Sequence, residues 1–279
     1  MTMEDLLRRD PTVQHYVHGY EKRESTRLVD QANTLERLLH GDTAFPPGSS
    51  VLEAGCGTGA QTIILAKNSP GAHITAIDTA QDSLTEAKTR LAQQGISNVR
   101  FELADIYDLP FDPDSFDHVF VCFVLEHLAN PLAACKAFRC VLKKGGAITV
   151  IEGDHGSFYC HPQSHEAART VQCLIDIQAH LKGNALIGRE LYPLLQEAGF
   201  TQTAVSPRMV YVDASKPDLV EGFTRRTFIA MVEGVKEQAL SMDMMDEGTW
   251  DKGISDLYRT TEEDGTFCYT FFRGTGLKL

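Results

Sequence analysis

VLEAGCGTGAQT, residues 51–62, decides how the rest of the chain is read. An apolar run carrying one acid, Glu53, passes into three glycines at alternate positions, Gly55, Gly57 and Gly59. Backbone that needs so little side chain is making room for a ligand. The glycines alone do not identify it. Gly55-x-Gly57-x-x-Ala60 satisfies the dinucleotide pattern when read generously, so spacing leaves a nicotinamide dinucleotide open.

Outward from this loop, short apolar runs recur at 50–54, 73–77, 98–103, 117–124 and 147–151. Helical patterns at 60–68, 82–94 and 131–142 lie between them. Such alternation predicts βαβ units and a parallel sheet buried on both faces. Ahead of the sheet, Leu28, Ala32, Leu35 and Leu39 mark one face of a lead helix over 20–40, ended by Gly41. Beyond 151 the rhythm breaks. An insertion at 155–186 carries a helix after Pro162. The pattern resumes with GRELYPLLQEAGF (helix) and TQTAVSPRMVYVDA (strand), and a second insertion follows at 215–264. Ser215 and Asp218 predict a capping box at its start, and its acidic end, 243–264, reads as a solvated helix face. GTFCYTFFRGTG reads as a last strand.

The surface carries 38 acidic against 26 basic residues, a net charge of −12. Basic residues come in isolated pairs (LLRR, LKK, TRR), so no nucleic acid is expected as a partner, and an anionic membrane surface is disfavoured by the same repulsion. No apolar run approaches the ~18 residues of a membrane span. The start, MTMEDLLRRDPTVQHY, lacks the pattern of a secretory signal. The cysteines at 56, 122, 135, 140, 160, 173 and 268 form no C-x-x-C pair, which predicts reduced thiols in a cytoplasmic protein.

Charge separates the ligands that spacing leaves open. In open α/β sheets ligands bind outside the carboxyl ends of the strands. Glu53, Asp78 and Asp105 put one acid near each of three consecutive strand ends. A pyrophosphate against a helix N-terminus would meet carboxylates there. A cationic nucleoside without phosphate suits them. S-adenosylmethionine, with its ammonium, sulfonium, ribose diol and adenine, is such a molecule. Asp78, 19 residues after Gly59, stands where a carboxylate accepts from both ribose hydroxyls.

VLEAGCGTG (51–59), AID (76–78), ELADIYDLPFDPDSFDHVFVCFVLEHLANP (102–131) and VLKKGGAITV (141–150) stand in the order and spacing of a known family. Residues 45–151 resemble a class I S-adenosylmethionine-dependent methyltransferase of the small-molecule type. The resemblance implies an α/β, Rossmann-like fold: a seven-stranded, mostly parallel sheet with an antiparallel last strand, helices on both faces and a helical cap from the two insertions. It implies that Gly55 and Gly57 let the main chain approach the cofactor and that Glu53 reaches its ammonium through water. Asp78 would hold the ribose, Thr79 and Ile106 would sandwich the adenine, and Asp105 would accept from its exocyclic amine. The Phe123 carbonyl would meet the ammonium, and Gln61 the carboxylate end. Glu53 stands where the family commonly has aspartate, which keeps the charge and makes direct contact less certain. The segment 1–44 would be helical and cover the cofactor site, with Tyr20, or else Tyr16, near the methionine end. Residues 45–279 would form the core, with the cap insertions at 155–186 and 215–264.

Methyl transfer from a sulfonium needs alignment and exclusion of water, and a base only where the acceptor must lose a proton. Glu126 and His127 lie just past the fourth strand, and Glu152, Asp154 and His155 just past the fifth. His155 is the candidate base, with Asp154 or Glu152 as its partner. His155, Cys160, His161 and His165 form one loose cluster rather than paired zinc motifs, so no metal is expected. CFVLEHL is not the Asn/Asp-Pro-Pro-aromatic loop of enzymes that act on planar amino groups. The expected acceptor is an O, N or C atom of a partly apolar small molecule enclosed under the cap. A protein or peptide acceptor and a non-catalytic cofactor-binding protein stay open, and the oligomeric state is not readable.

Overall fold

The computed structural model describes the chain from Lys22 to Leu279, with side chains placed from Arg27 onward. The lead helix α1 (Lys22–His40) is followed by β1 (Ser50–Ala54), α2 (Ala60–Asn68), β2 (His73–Asp78), α3 (Gln81–Gln93), β3 (Val99–Leu103), β4 (Phe116–Cys122), α4 (Pro131–Val141) and β5 (Leu142–Gly153). A short strand β6 (Tyr159–His161), helix α5 (His165–His180), helix α6 (Leu191–Glu197) and strand β7 (Thr201–Asp213) come next. A helical stretch then runs from Pro217 through Glu233, π-wound over Val220–Ile229. Helix α7 (Lys236–Ser241), helix α8 (Glu247–Arg259) and strand β8 (Thr266–Leu277) complete the chain.

The sheet runs β3-β2-β1-β4-β5-β8, with β7 on the other edge of β8. The pairs from β3 to β5 are parallel, and β8 is antiparallel to both β5 and β7. β6 continues the line of β5 along β8, so the seven-stranded plan gains a short eighth strand. Strand order reverses between β1 and β4, which opens a crevice beyond their carboxyl ends.

Side chains alternate between two cores, as the twofold strand period requires. Val51, Phe120 and Ile151 pack with α1, α5 and the second insertion. Leu52, Val119, Val121 and Ile148 pack with α4 and α6. Among the described residues, no helix is long and apolar enough to cross a membrane.

Several boundaries differ from the sequence reading, and β5, expected over 147–151, runs from Leu142 to Gly153. β4 stops at Cys122, not at residue 124, because Phe123 turns left-handed (φ 57) and the buried Glu152 carboxylate takes the amides of Val124 (3.0 Å) and Leu125 (2.7 Å). Ser215 does not cap the helix after β7. Asp213 accepts its amide (2.9 Å) and its hydroxyl, closing a turn at the strand end, and Pro217 opens the helix behind Lys216. The acidic helix α8 is solvated on one side only: Trp250, Gly253 and Leu257 are buried on the other.

Candidate active site

Beyond the ends of β1, β2 and β4 lies a cavity of about 490 Å³. Gly55, Gly57, Gln61, Asp78, Thr79, Asp105, Ile106 and Phe123 line it, joined by Leu28 of α1, Ser83 and Glu86 of α3, and His127. Gly57 holds φ +51 and a Cβ there would meet nothing within 4 Å, so its main chain faces open space. Asp78 shapes the loop: its Oδ2 accepts the Gly57 amide (2.8 Å) and its Oδ1 the Ala80 amide (2.9 Å). Burial raises its carboxyl above the ordinary range, against those amides. Asp105 accepts the Tyr107 amide (2.8 Å) at the third strand's end.

Glu53 is placed differently from its neighbours. It lies behind the cavity wall, 3 % exposed, with Oε2 unpartnered. Burial pushes its carboxyl up to about 8; the Thr62 hydroxyl opposes this and the Asp78 charge adds to it. Tyr20 and Tyr16 lie outside the described residues.

A second, smaller hollow of about 40 Å³ adjoins the first and shares Leu28, Phe123 and His127 with it. Phe223 and Phe228 of the π-wound segment and Tyr269 and Phe271 of β8 wall it. Tyr269 and Phe271 stand 4.7 Å apart, and Phe223 and Phe228 lie within 6 Å of Tyr269. His155 opens into this hollow, 5 % exposed. Its Nδ1 is 2.7 Å from the Tyr269 hydroxyl, and its Nε2 has no hydrogen-bond partner among the described residues. Burial lowers the imidazole pKa, against the pull of Glu126, so the ring is neutral at neutral pH.

The partners expected for His155 are otherwise engaged. Asp154 is held by Arg189 through two bonds of 2.7 Å, and Glu152 by the two amides after β4. The carboxylate that faces the ring is Glu126, whose Oε2 is 3.7 Å from Nε2. Among the described residues, no three histidine, cysteine or acidic side chains converge as metal ligands.

A family model described as a methyltransferase domain matches residues 46–199. The chain belongs to the methyltransferase domain family. An uncharacterized 37.1 kDa protein of transposon TN4556 from Streptomyces fradiae is 33% identical over 220 residues, 78% of this chain and 63% of that protein. A demethylmenaquinone methyltransferase of Staphylococcus aureus is 31% identical over 134 residues, 48% of this chain and 55% of that enzyme. This chain therefore spans less than two thirds of either relative's length. In fold it is similar to a Haemonchus contortus phosphoethanolamine N-methyltransferase solved with phosphomonomethylethanolamine and S-adenosylhomocysteine. There the TM-score is 0.54 at 16% identity, over 89% of this chain and 52% of that one.

The lining of the larger cavity fits S-adenosylmethionine. Among the described residues that line it none is lysine or arginine, as suits a phosphate-free cation, and Asp78 and Asp105 share its wall. Sequence reasoning missed how the smaller hollow is built. Tyr269 reaches His155 across 114 residues, and Gln178 reaches Glu126 across 52. No local spacing encodes either contact. The one legible signal was Glu126 itself, in the LEHL that follows the fourth strand.

Proposed function

We propose that this methyltransferase transfers the methyl group to a compact, partly apolar small molecule, whose reacting atom enters the aromatic hollow beside His155. The observation that carries the reading is the shared wall. Leu28, Phe123 and His127 separate a nucleoside-sized cavity from a hollow with one unpartnered imidazole nitrogen. When bound, S-adenosylmethionine supplies a methyl group already activated by its sulfonium. In this reading Asp78 holds the ribose, Thr79 and Ile106 cover the adenine, and Asp105 takes its exocyclic amine. Gly55 and Gly57 give the main chain close approach, Gln61 turns to the carboxylate end, and Glu53 and the Phe123 carbonyl attract the ammonium. His155 accepts the acceptor's proton at Nε2 while Nδ1 stays on Tyr269. The aromatic walls exclude water, and alignment of this kind is worth roughly 7–11 kcal/mol.

Helix α1, the described part of the segment up to residue 44, then serves as a lid, an assignment supported by Leu28, which lines both spaces. The insertions at 155–186 and 215–264 serve as the cap, supported by His155, Phe223 and Phe228 in the smaller hollow. Its enclosure favours a small acceptor over a peptide, and the staphylococcal relative is likewise named for a small-molecule acceptor. The test is a metabolite screen read by release of S-adenosylhomocysteine. With the acceptor found, His155→Ala is expected to lower turnover at least a hundredfold, the ordinary scale of general-base catalysis, with cofactor affinity unchanged. Wild-type turnover in that variant would remove the base. Acceptance of peptides alone would remove the small-molecule reading.

A further inference from the structure

Glu126 sits in the turn after β4, 7 % exposed, with its carboxylate between two histidines. Oε2 is 3.7 Å from His155 Nε2 and Oε1 is 3.5 Å from His127 Nε2. The turn is gripped from the cap. Gln178 of α5, 1 % exposed, donates from Nε2 to the Glu126 carbonyl (3.0 Å) and to Oε2 (3.3 Å). The Asn184 amide donates to the same carbonyl (2.7 Å), and a Cβ at Gly183 would stand 2.5 Å from it. So much contact on one carbonyl and one carboxylate leaves Glu126 a single position.

We propose that Glu126 and Gln178 are positioning residues for His155: Glu126 supplies the negative charge that receives the imidazolium, and Gln178 fixes that charge opposite Nε2. The inference rests on the role proposed for His155. The acceptor's proton passes to Nε2 and makes the ring +1; Glu126 remains −1, so the buried pair is neutral. Other groups facing the ring do not do this. Arg27 of α1 and His127 of the same turn oppose the positive charge. Tyr269 of β8 is a neutral partner of Nδ1. Asp154 is neutralised by Arg189, and Glu152 is spent on the amides after β4. The helical stretch after β7 contributes Phe223, Thr227, Phe228 and Met231, none of them charged, and α5 contributes the neutral Gln178.

A carboxylate this close favours the protonated ring, whereas burial disfavours it. Removing its charge therefore lowers the proton affinity of His155. The experiment follows the His155 ring nitrogens by NMR from pH 5 to 9 in the full chain, with the resonance identified by its loss in His155→Gln. Wild type, Glu126→Gln and Gln178→Met are compared. The midpoint is expected to fall by about one pH unit or more in Glu126→Gln, the usual effect of a nearby opposite charge, and by less in Gln178→Met. Affinity for S-adenosylhomocysteine is expected to stay unchanged in both variants and melting temperature in Glu126→Gln, whereas Gln178→Met, which gives up two buried hydrogen bonds, melts lower; the fall of the midpoint in a Glu126→Gln of wild-type stability separates positioning from structural support. Equal midpoints in the three proteins, or a wild-type ring still neutral at pH 5, overturn the proposal. If Gln178→Met does not fold, Gln178→Asn, whose amide is one methylene short, replaces it. Failure of the base itself is read separately, as undiminished methyl transfer by His155→Ala.

Discussion

Gly55 and Gly57 both hold left-handed dihedrals, φ +74 and φ +51, yet a methyl group added to each meets different surroundings. At Gly55 it would stand 2.5 Å from a Val124 methyl; at Gly57 it meets only open space. Gly55→Ala is therefore expected to destabilise the fold by roughly 1–2 kcal/mol from the backbone alone, and by more from the overlap. Gly57→Ala carries the backbone cost, but its main effect falls on the cofactor, whose affinity drops. Melting curves and calorimetric titration of the two variants check this division; equal effects on both readouts would contradict it. Glu53 gives a second prediction at this scale. A buried carboxyl with its pKa near 8 is mostly neutral at pH 7, and in the proposed function the ammonium that it attracts from behind the cavity wall draws it towards the charged form. Cofactor binding then releases a proton, so affinity rises with pH between about 6 and 8, and Glu53→Gln flattens that rise. Both glycines were legible in sequence because a bare backbone after an apolar run has few uses. The depth of Glu53 was not, because strand alternation does not say how far behind a cavity wall a side chain lies.

Among the elements, the strands and helices up to β5 were legible because a parallel sheet buried on both faces leaves nearly continuous apolar runs. Helix α4 is capped locally: Asn130 accepts the Ala133 amide (3.0 Å) ahead of Pro131. The second insertion was less legible. Ser215 was drawn into the Asp213 turn, and π-winding over Val220–Ile229 leaves no periodic mark in so short a stretch. Helix α8 packs its buried side on α5, where a Cβ at Gly253 would stand 2.7 Å from the Glu166 carbonyl. Gly253→Ala is expected to push the two helices apart, lower the melting temperature by several degrees, and weaken acceptor turnover more than cofactor binding. Unchanged turnover in a folded variant would detach α8 from the acceptor side.

For the molecule as a whole, the buried acids set the response to pH. Burial raises the carboxyls of Glu53, Asp78 and Glu152 above their ordinary values. The folded protein thus holds protons that the unfolded chain has released, and stability falls as pH rises from about 4.5, the ordinary value of a glutamate carboxyl, toward 8. A single such carboxyl contributes at most about 1.4 kcal/mol per pH unit across that window. Denaturant titrations of wild type and Glu53→Gln check this: the variant is expected to lose less stability over the window, and parallel curves would contradict it. The parallel βαβ units up to β5 and an acid near each of three strand ends followed from local runs of sequence. The contacts that join Tyr269 to His155 and Gln178 to Glu126 depend on tertiary closure, so no window of sequence holds them. The account stands on Asp78 as the residue that recognises the nucleoside in the glycine-floored cavity. Calorimetric titration of S-adenosylhomocysteine into wild type and Asp78→Asn, which keeps one acceptor for the loop amides, tests it most directly. One-to-one binding by wild type and a loss of at least tenfold in affinity in the variant, which stays folded at the assay temperature but melts lower because one loop amide now faces the Asn NH2, are predicted; equal affinities would contradict the account.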